Sequence, residues 1–229
     1  VLETHKPAVV SFHFGLPVPK LLQAVKATGA QVWSSATTVA EARWLAANGA
    51  DAVIAQGWEA GGHRGWFLNH DAGGQAGTFA LLPQVVRAID KPVIAAGGIS
   101  NAAAVRAARA LGAAAVQAGT AFLLADEADT RPAHRAALQS ARAEETVVTN
   151  LLSGGMARGI PNRLMHELGA VHPTALPFPL AVTAVGALKT ADEAHGSDAF
   201  RTLLAGQYAP LARSGSAAQI VGWLAEGWV

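Results

Sequence analysis

One unit recurs five times along this chain: a short apolar run without alternation, followed by a stretch with helical spacing. The runs are Ala8–Phe12, Gln31–Ser35, Ala52–Ala55, Val93–Ala96 and Ala114–Ala118. Strands covered on both faces lose the in–out alternation of a half-exposed sheet, so the pattern predicts a parallel sheet flanked by helices. Helices are expected over 20–28, over 39–46 ending towards Gly49, over 82–89, and over a stretch capped by Ser100 or Asn101 that runs to Gly112. An open doubly wound sheet and a (β/α)8 barrel both produce this cadence. No early Gly-x-Gly-x-x-Gly opens a helix, which weakens the dinucleotide-binding version, and glycine at successive strand ends favours the barrel.

Past residue 122 the cadence stops. A helix is expected over Thr130–Ala141, an edge strand over Glu145–Thr149, a loop over Ser153–Gly159 and a last helix over Ala217–Glu226. Pro161, Pro173, Pro177 and Pro179 interrupt the chain between them. The division that follows is 1–122 for the barrel part, 123–205 for a helical cap and 206–229 for a segment returning to the barrel. Trp223 and Trp228 are expected to be packing anchors.

The hydrophobic share is 51% and the charged share 14% over 229 residues, which excludes disorder and coiled coil and allows one sizeable core. A net charge of +1 with no basic block argues against nucleic-acid binding. The absence of cysteine excludes a disulfide framework and a thiolate nucleophile, and fits a cytoplasmic location. The longest apolar runs fall well short of the roughly 18 residues of a spanning helix, so no membrane segment is expected.

Chemistry concentrates at the strand ends. Ala52–Ala55 runs into Gln56–Gly57–Trp58–Glu59–Ala60–Gly61–Gly62–His63–Arg64–Gly65, which sets His63 in a glycine-rich loop at a strand mouth. A histidine there can move a proton at neutral pH, and His63 is the leading catalytic candidate. Glu59 could orient it, cap a turn or face solvent. His13 ends another strand and could be a second base, a substrate ligand or a polar plug. Gly97 and Gly98 end the fourth strand, and Gly119 and Thr120 follow the fifth. Glycine turns feeding helices offer main-chain amides to an anion, although two ordinary tight turns would use the same residues. Gln56 and Gln117 close buried strands, where each amide needs a partner such as a heterocycle edge. His13, His63 and Asp71 match no recognised metal spacing, so no metal is expected. No Gly-x-Ser-x-Gly elbow or P-loop is present, and no serine stands at a persuasive spacing from a histidine, which argues against a hydrolase.

The strings Ser11–Phe12–His13–Phe14–Gly15, Gln56–Gly57–Trp58–Glu59–Ala60–Gly61–Gly62–His63, Ala96–Gly97–Gly98–Ile99 and Gln117–Ala118–Gly119–Thr120 resemble the FMN-dependent nitronate monooxygenase family, formerly the 2-nitropropane dioxygenases. The resemblance extends through Ala157–Arg158–Gly159–Ile160–Pro161–Asn162–Arg163 and Ala205–Gly206–Gln207. It implies a TIM barrel carrying FMN under an added helical region. It also implies Gln56, Gly61 and Gly62 near the flavin, Gly97, Gly98, Gln117, Ala118, Gly119 and Thr120 around the ribityl phosphate, and Gln207 as a further FMN contact. His63 would be the active-site histidine and His13 a secondary pocket residue. The implied activity is oxidation of an alkyl nitronate, such as propionate 3-nitronate, or of a nitroalkane with O2, giving a carbonyl compound and nitrite. The wider group includes flavin-dependent enoyl-acyl-carrier-protein reductases, so the alternative is an NAD(P)H-fed FMN oxidoreductase acting on quinones or enoyl thioesters. An apolar cap could also support a homodimer. Two departures stand out. Ser153–Gly154–Gly155–Met156 replaces the family's more usual Ser-Gly-Arg-Pro and leaves substrate preference open. Family members also carry further chain before the strand at Val9, including the first three barrel strands. The expectation is therefore a (β/α)8 barrel lacking those strands, held in a piece of a longer protein.

Overall fold

A computed structural model describes every residue from Val1 to Val229. Its strands are β1 Val9–Phe12, β2 Gln31–Ala36, β3 Ala52–Gln56, β4 Gly62–His63, β5 Val93–Ala96, β6 Ala115–Gln117, β7 Val147–Thr149 and β8 Ala157–Gly159. The chain divides into two compact units. One comprises Val1–Trp58, Gly65–Gln117 and Gly227–Val229, and the other Glu59–Arg64 and Ala118–Glu226.

The first unit is the expected α/β repeat. Its sheet is open, five-stranded and parallel throughout, in the order β1-β2-β3-β5-β6. Helices α1 Leu2–His5, α2 Pro19–Ala27, α3 Val39–Ala47, α4 Thr78–Ala88 and α5 Ala102–Ala110 accompany it. Caps follow local chemistry: the Thr38 hydroxyl accepts from the Glu41 amide and the Asn101 side chain from the Ala104 amide. Helix α4 begins a full turn before the expected start. Pro83 lies inside it without an N–H to give, which is what disguised its first turn. The central strands β3 and β5 are buried along their whole length, as continuous apolar runs require. Ala52, Ile54, Ile94 and Ala96 form one face's core, with Trp33 and Ala115 packed against it. The residues of opposite parity, such as Val53 and Ala95, are buried on the other face. The outermost strands β1 and β6 are only partly buried.

The second unit holds α6 Pro132–Leu138, α7 Arg163–Leu168, α8 Ala181–Ala194 and α9 Ala217–Ala225, with a small antiparallel sheet in the order β4-β8-β7. The last helix is opened by Ser216 and Gln219, each side chain bonding the other's main chain. Two expectations need correction. The segment read as a loop contains β8, and His63 lies in a two-residue strand paired with Ala157 rather than in a free loop. Three ladder residues are too few to show a period, so pairing decides their structure. The long helix α8 lies just beyond the proline-rich stretch and was not foreseen.

Candidate functional site

In the first unit, polar side chains line up along the C-terminal edge of the sheet. Gln56 is in register with Ala96, and Ala96 with Gln117, so both amides leave the same face of adjacent strands. By alternation this is the face of Trp33, Ile54 and Ala115, the one that packs as the inner core. Gln56 is buried, and its Oε1 accepts from the Gly65 amide at 2.8 Å, which fixes the carboxamide. Gln117 is exposed. At the other end of the sheet His13 Nδ1 meets Ser35 Oγ at 3.0 Å. A β-carbon at Gly65 would lie 2.6 Å from His13 Cε1, so that glycine makes room for the ring. Beyond β5 both Gly97 (φ 98°) and Gly98 (φ 70°) take left-handed conformations that favour glycine. Open main chain at the carboxyl ends of parallel strands is where such sheets bind ligands.

The second unit assembles the chemistry around His63. Its Nε2 lies 2.6 Å from Ser153 Oγ, a partner 90 positions away. Ser153 is buried, and its hydroxyl also accepts from the Gly155 amide at 3.3 Å. Phe178 stands edge-on to the imidazole, with ring centroids 5.5 Å apart. No persuasive serine–histidine spacing announced this pairing, because sequence spacing cannot reveal a contact between residues 90 positions apart. It does not revive a hydrolase, since a serine this buried offers no approach to a carbonyl carbon.

Glycines around this centre are explained by close packing or by open space. A β-carbon at Gly61 would sit 2.5 Å from the Gly206 nitrogen, so chain-to-chain packing alone requires glycine there. At Gly62 and at the exposed Gly119 a β-carbon would meet nothing within 4 Å. The protein leaves space there that a ligand could use. Thr120 Oγ1 accepts from the Gly206 amide at 2.9 Å, which leaves its own hydroxyl proton to donate. Gln207 donates its amide to the Glu59 carbonyl. Arg158 on β8 is buried and donates to the Thr146 carbonyl at 2.9 Å. Burial lowers its pKa, and the charge of Glu59 opposes that shift. No group of three or more His, Cys, Asp or Glu side chains is arranged to hold a metal ion. No helix is long and apolar enough to cross a membrane.

Comparison with known proteins points one way. The model of a family described as nitronate monooxygenase matches residues 1–227. A nitronate monooxygenase of Pseudomonas aeruginosa is 44% identical over 227 residues, covering 99% of this chain and 65% of that protein. A probable nitronate monooxygenase of Bacillus subtilis is 38% identical over 203 residues, covering 89% of this chain and 58% of its own length. Among solved structures, a nitroalkane oxidase from Streptomyces ansochromogenes superposes with a TM-score of 0.89 at 39% identity, over 98% of this chain and 65% of that one. FabK from Thermotoga maritima does so with a TM-score of 0.78 at 30% identity, over 99% and 70%. The chain thus spans between 58% and 70% of the length of these proteins.

Proposed function

The chain belongs to the nitronate monooxygenase family, and from that membership together with the His63–Ser153 pair we propose FMN-dependent oxidation of alkyl nitronates by O2 to a carbonyl compound and nitrite. The single observation that carries the reading is the imidazole of His63, held by Ser153 and bordered by an apolar ring. FMN, when bound, accepts the electrons and passes them to oxygen. The residues fit such a group. Gln56 and Gln117 offer amides on one sheet face to a heterocycle edge. The left-handed Gly97 and Gly98 offer main chain to a phosphate, and Gly62, Gly119 and the Thr120 hydroxyl are placed in open or donor-bearing positions. Gly61, Ala118 and Gln207 belong to the same assignment as backbone that shapes the site.

His63 is assigned the proton. When its Nε2–H donates to Ser153 Oγ, the basic lone pair lies on Nδ1, and that atom takes the carbon-bound proton of a neutral nitroalkane. Ser153 is a positioning residue that fixes the ring's orientation, as second partners of catalytic histidines do. His13, held by Ser35, is proposed as a secondary pocket residue.

The test compares two substrates on the intact, flavin-loaded protein. His63→Asn is expected to lower nitroalkane turnover by about a hundredfold or more, the scale of a lost general base, and turnover of the preformed nitronate far less. Equal losses on both remove the base assignment. Anaerobic bleaching of the flavin by NADH faster than by nitronate in stopped flow replaces the proposal with the reductase reading.

A further inference from the structure

We propose that the cleft between α6 and the end of α8 is a second ligand site, and that it takes a small zwitterion whose carboxylate enters while its ammonium stays at the rim. None of its residues takes part in the proposed flavin or nitronate contacts, so the site stands apart from that reading.

Two adjoining cavities of about 410 and 320 Å³ open there, and both are lined by Arg131, Glu193 and Arg201. The first adds Asp198, and the second adds Asp129, His134 and Lys189. Their walls are fixed by the protein's own hydrogen bonds. The Arg135 guanidinium donates to the carbonyls of Thr130, Ala125 and Ala128, which sets the turn carrying Asp129. Asp192 accepts the Ser197 amide on its carbonyl at 3.2 Å and the Phe200 amide on its carboxylate at 3.4 Å, which folds residues 196–200 onto the end of α8. The Arg201 carbonyl accepts from the buried Asn162 side chain at 3.1 Å. The cleft is thus shaped before any ligand arrives.

Its polar groups are sorted by depth. His134, Lys189 and Arg201 are partly buried, and the Arg201 side chain is only 18% exposed, whereas Asp129, Glu193 and Asp198 are exposed. Donors lie inside and carboxylates outside. Arg201 Nη1 meets Glu193 Oε1 at 3.1 Å, which ties the two layers together at one point. Two inner nitrogens, Arg201 Nε and His134 Nε2, are buried without a hydrogen-bond partner. Native interiors rarely leave such atoms unmatched, and an arginine Nε–H can only donate, so what it lacks is an acceptor. Both atoms belong to side chains that line the cleft, so a carboxylate entering it, met by a small turn of either side chain, supplies what is missing. A plain anion would reach the inner donors only past three carboxylates. A plain cation would meet the rim and leave the inner donors as they are. A molecule with a carboxylate at one end and an ammonium at the other satisfies both layers.

The experiment titrates the intact, FMN-loaded protein by calorimetry with glycine, 4-aminobutyrate and 6-aminohexanoate, and with butyrate and butylammonium, which carry one charge each. At least one zwitterion should bind about fivefold or more tightly than either single-charge probe, on the scale of an exposed ion pair. Added salt should erode that margin. Lys189→Met should weaken the best zwitterion and butyrate alike by about tenfold, the scale of one charged hydrogen bond. Arg131→Gln gives the same reading should the first variant not fold. Asp129→Asn combined with Asp198→Asn should bring the zwitterion down to the butyrate value and leave butyrate no weaker. Butyrate equal to the zwitterions in the unsubstituted protein would make this a site for anions and overturn the ligand class. Absence of saturable heat with every probe, unchanged affinity in Lys189→Met, or flavin released as a probe binds would overturn the site itself.

Discussion

Glu41 shows what a single side chain can hold. It lies on α3 with no exposed surface, and its carboxylate accepts from the Thr37 amide and hydroxyl on one oxygen and from the Phe67 and Leu68 amides on the other. Nothing in the sequence marks it, because two of its four donors lie 26 and 27 positions away. Hydrogen bonds to a charged group are worth more than neutral ones, and a neutral amide would also present N–H to donors. Glu41→Gln should therefore lower stability by about 2–3 kcal/mol, measured by urea unfolding, and a change below about 0.5 kcal/mol would show that the network is not holding the 65–68 segment. His63 was legible from its glycine-rich setting. Ser153 was not, for the same reason as Glu41: its partner comes from a distant element. Gln56 and Gln117 were legible as strand-closing amides needing partners, but their shared face became visible only with the register.

Elements were read well where they repeat. The five parallel strands agree with the expected runs to within one or two residues because full burial on both faces leaves a compositional trace. Short elements left none. Strands β4 and β8 have two and three residues, and what makes them strands is mutual pairing and close backbone contact. At Gly159 a β-carbon would stand 2.6 Å from the Leu203 carbonyl oxygen, so the glycine that suggested a loop is there to admit a neighbouring chain. Gly154 (φ 91°) does the same for the segment 172–180, where a β-carbon would lie 2.2 Å from the Leu176 carbonyl oxygen. The Asn150 side chain clasps that segment, donating to the His172 carbonyl at 2.9 Å and accepting the His172 amide at 3.0 Å. Gly154→Ala combines a left-handed backbone with a blocked contact and should cost about 2–4 kcal/mol, read as a lower melting temperature. Limited proteolysis should then cut within 172–180 faster than in the unsubstituted protein. Unchanged melting and cleavage would mean that the segment is not seated there.

At the scale of the molecule, pH should reveal a half-buried imidazole. His134 is partly buried on α6, and burial lowers its pKa below the ordinary value of 6.5, opposed by a hydrogen bond with the Leu204 backbone. Its folded-state pKa lies below its unfolded one, so unfolding takes up a proton across that window. The associated stability is present above pH 6.5 and is lost as the pH falls through the lower folded value. Urea midpoints should decline from pH 7.5 downward past 6.5, and His134→Gln should remove part of that slope; an identical slope in the variant would assign the decline elsewhere. The α/β class and its barrel-like cadence were legible at this scale, as was the family. The antiparallel sheet and the long helix α8 were not, since neither repeats. The clasp between Asn150 and His172 has a last consequence. Main chain, the Asn150 amide and the Ala175 side chain fasten the 172–180 segment, and the exposed Leu176 and Leu180 side chains are not among those contacts. Evolution or an engineer could exchange Leu176 and Leu180 for polar residues without undoing the clasp, which leaves the segment's outer surface open to change on an unaltered framework.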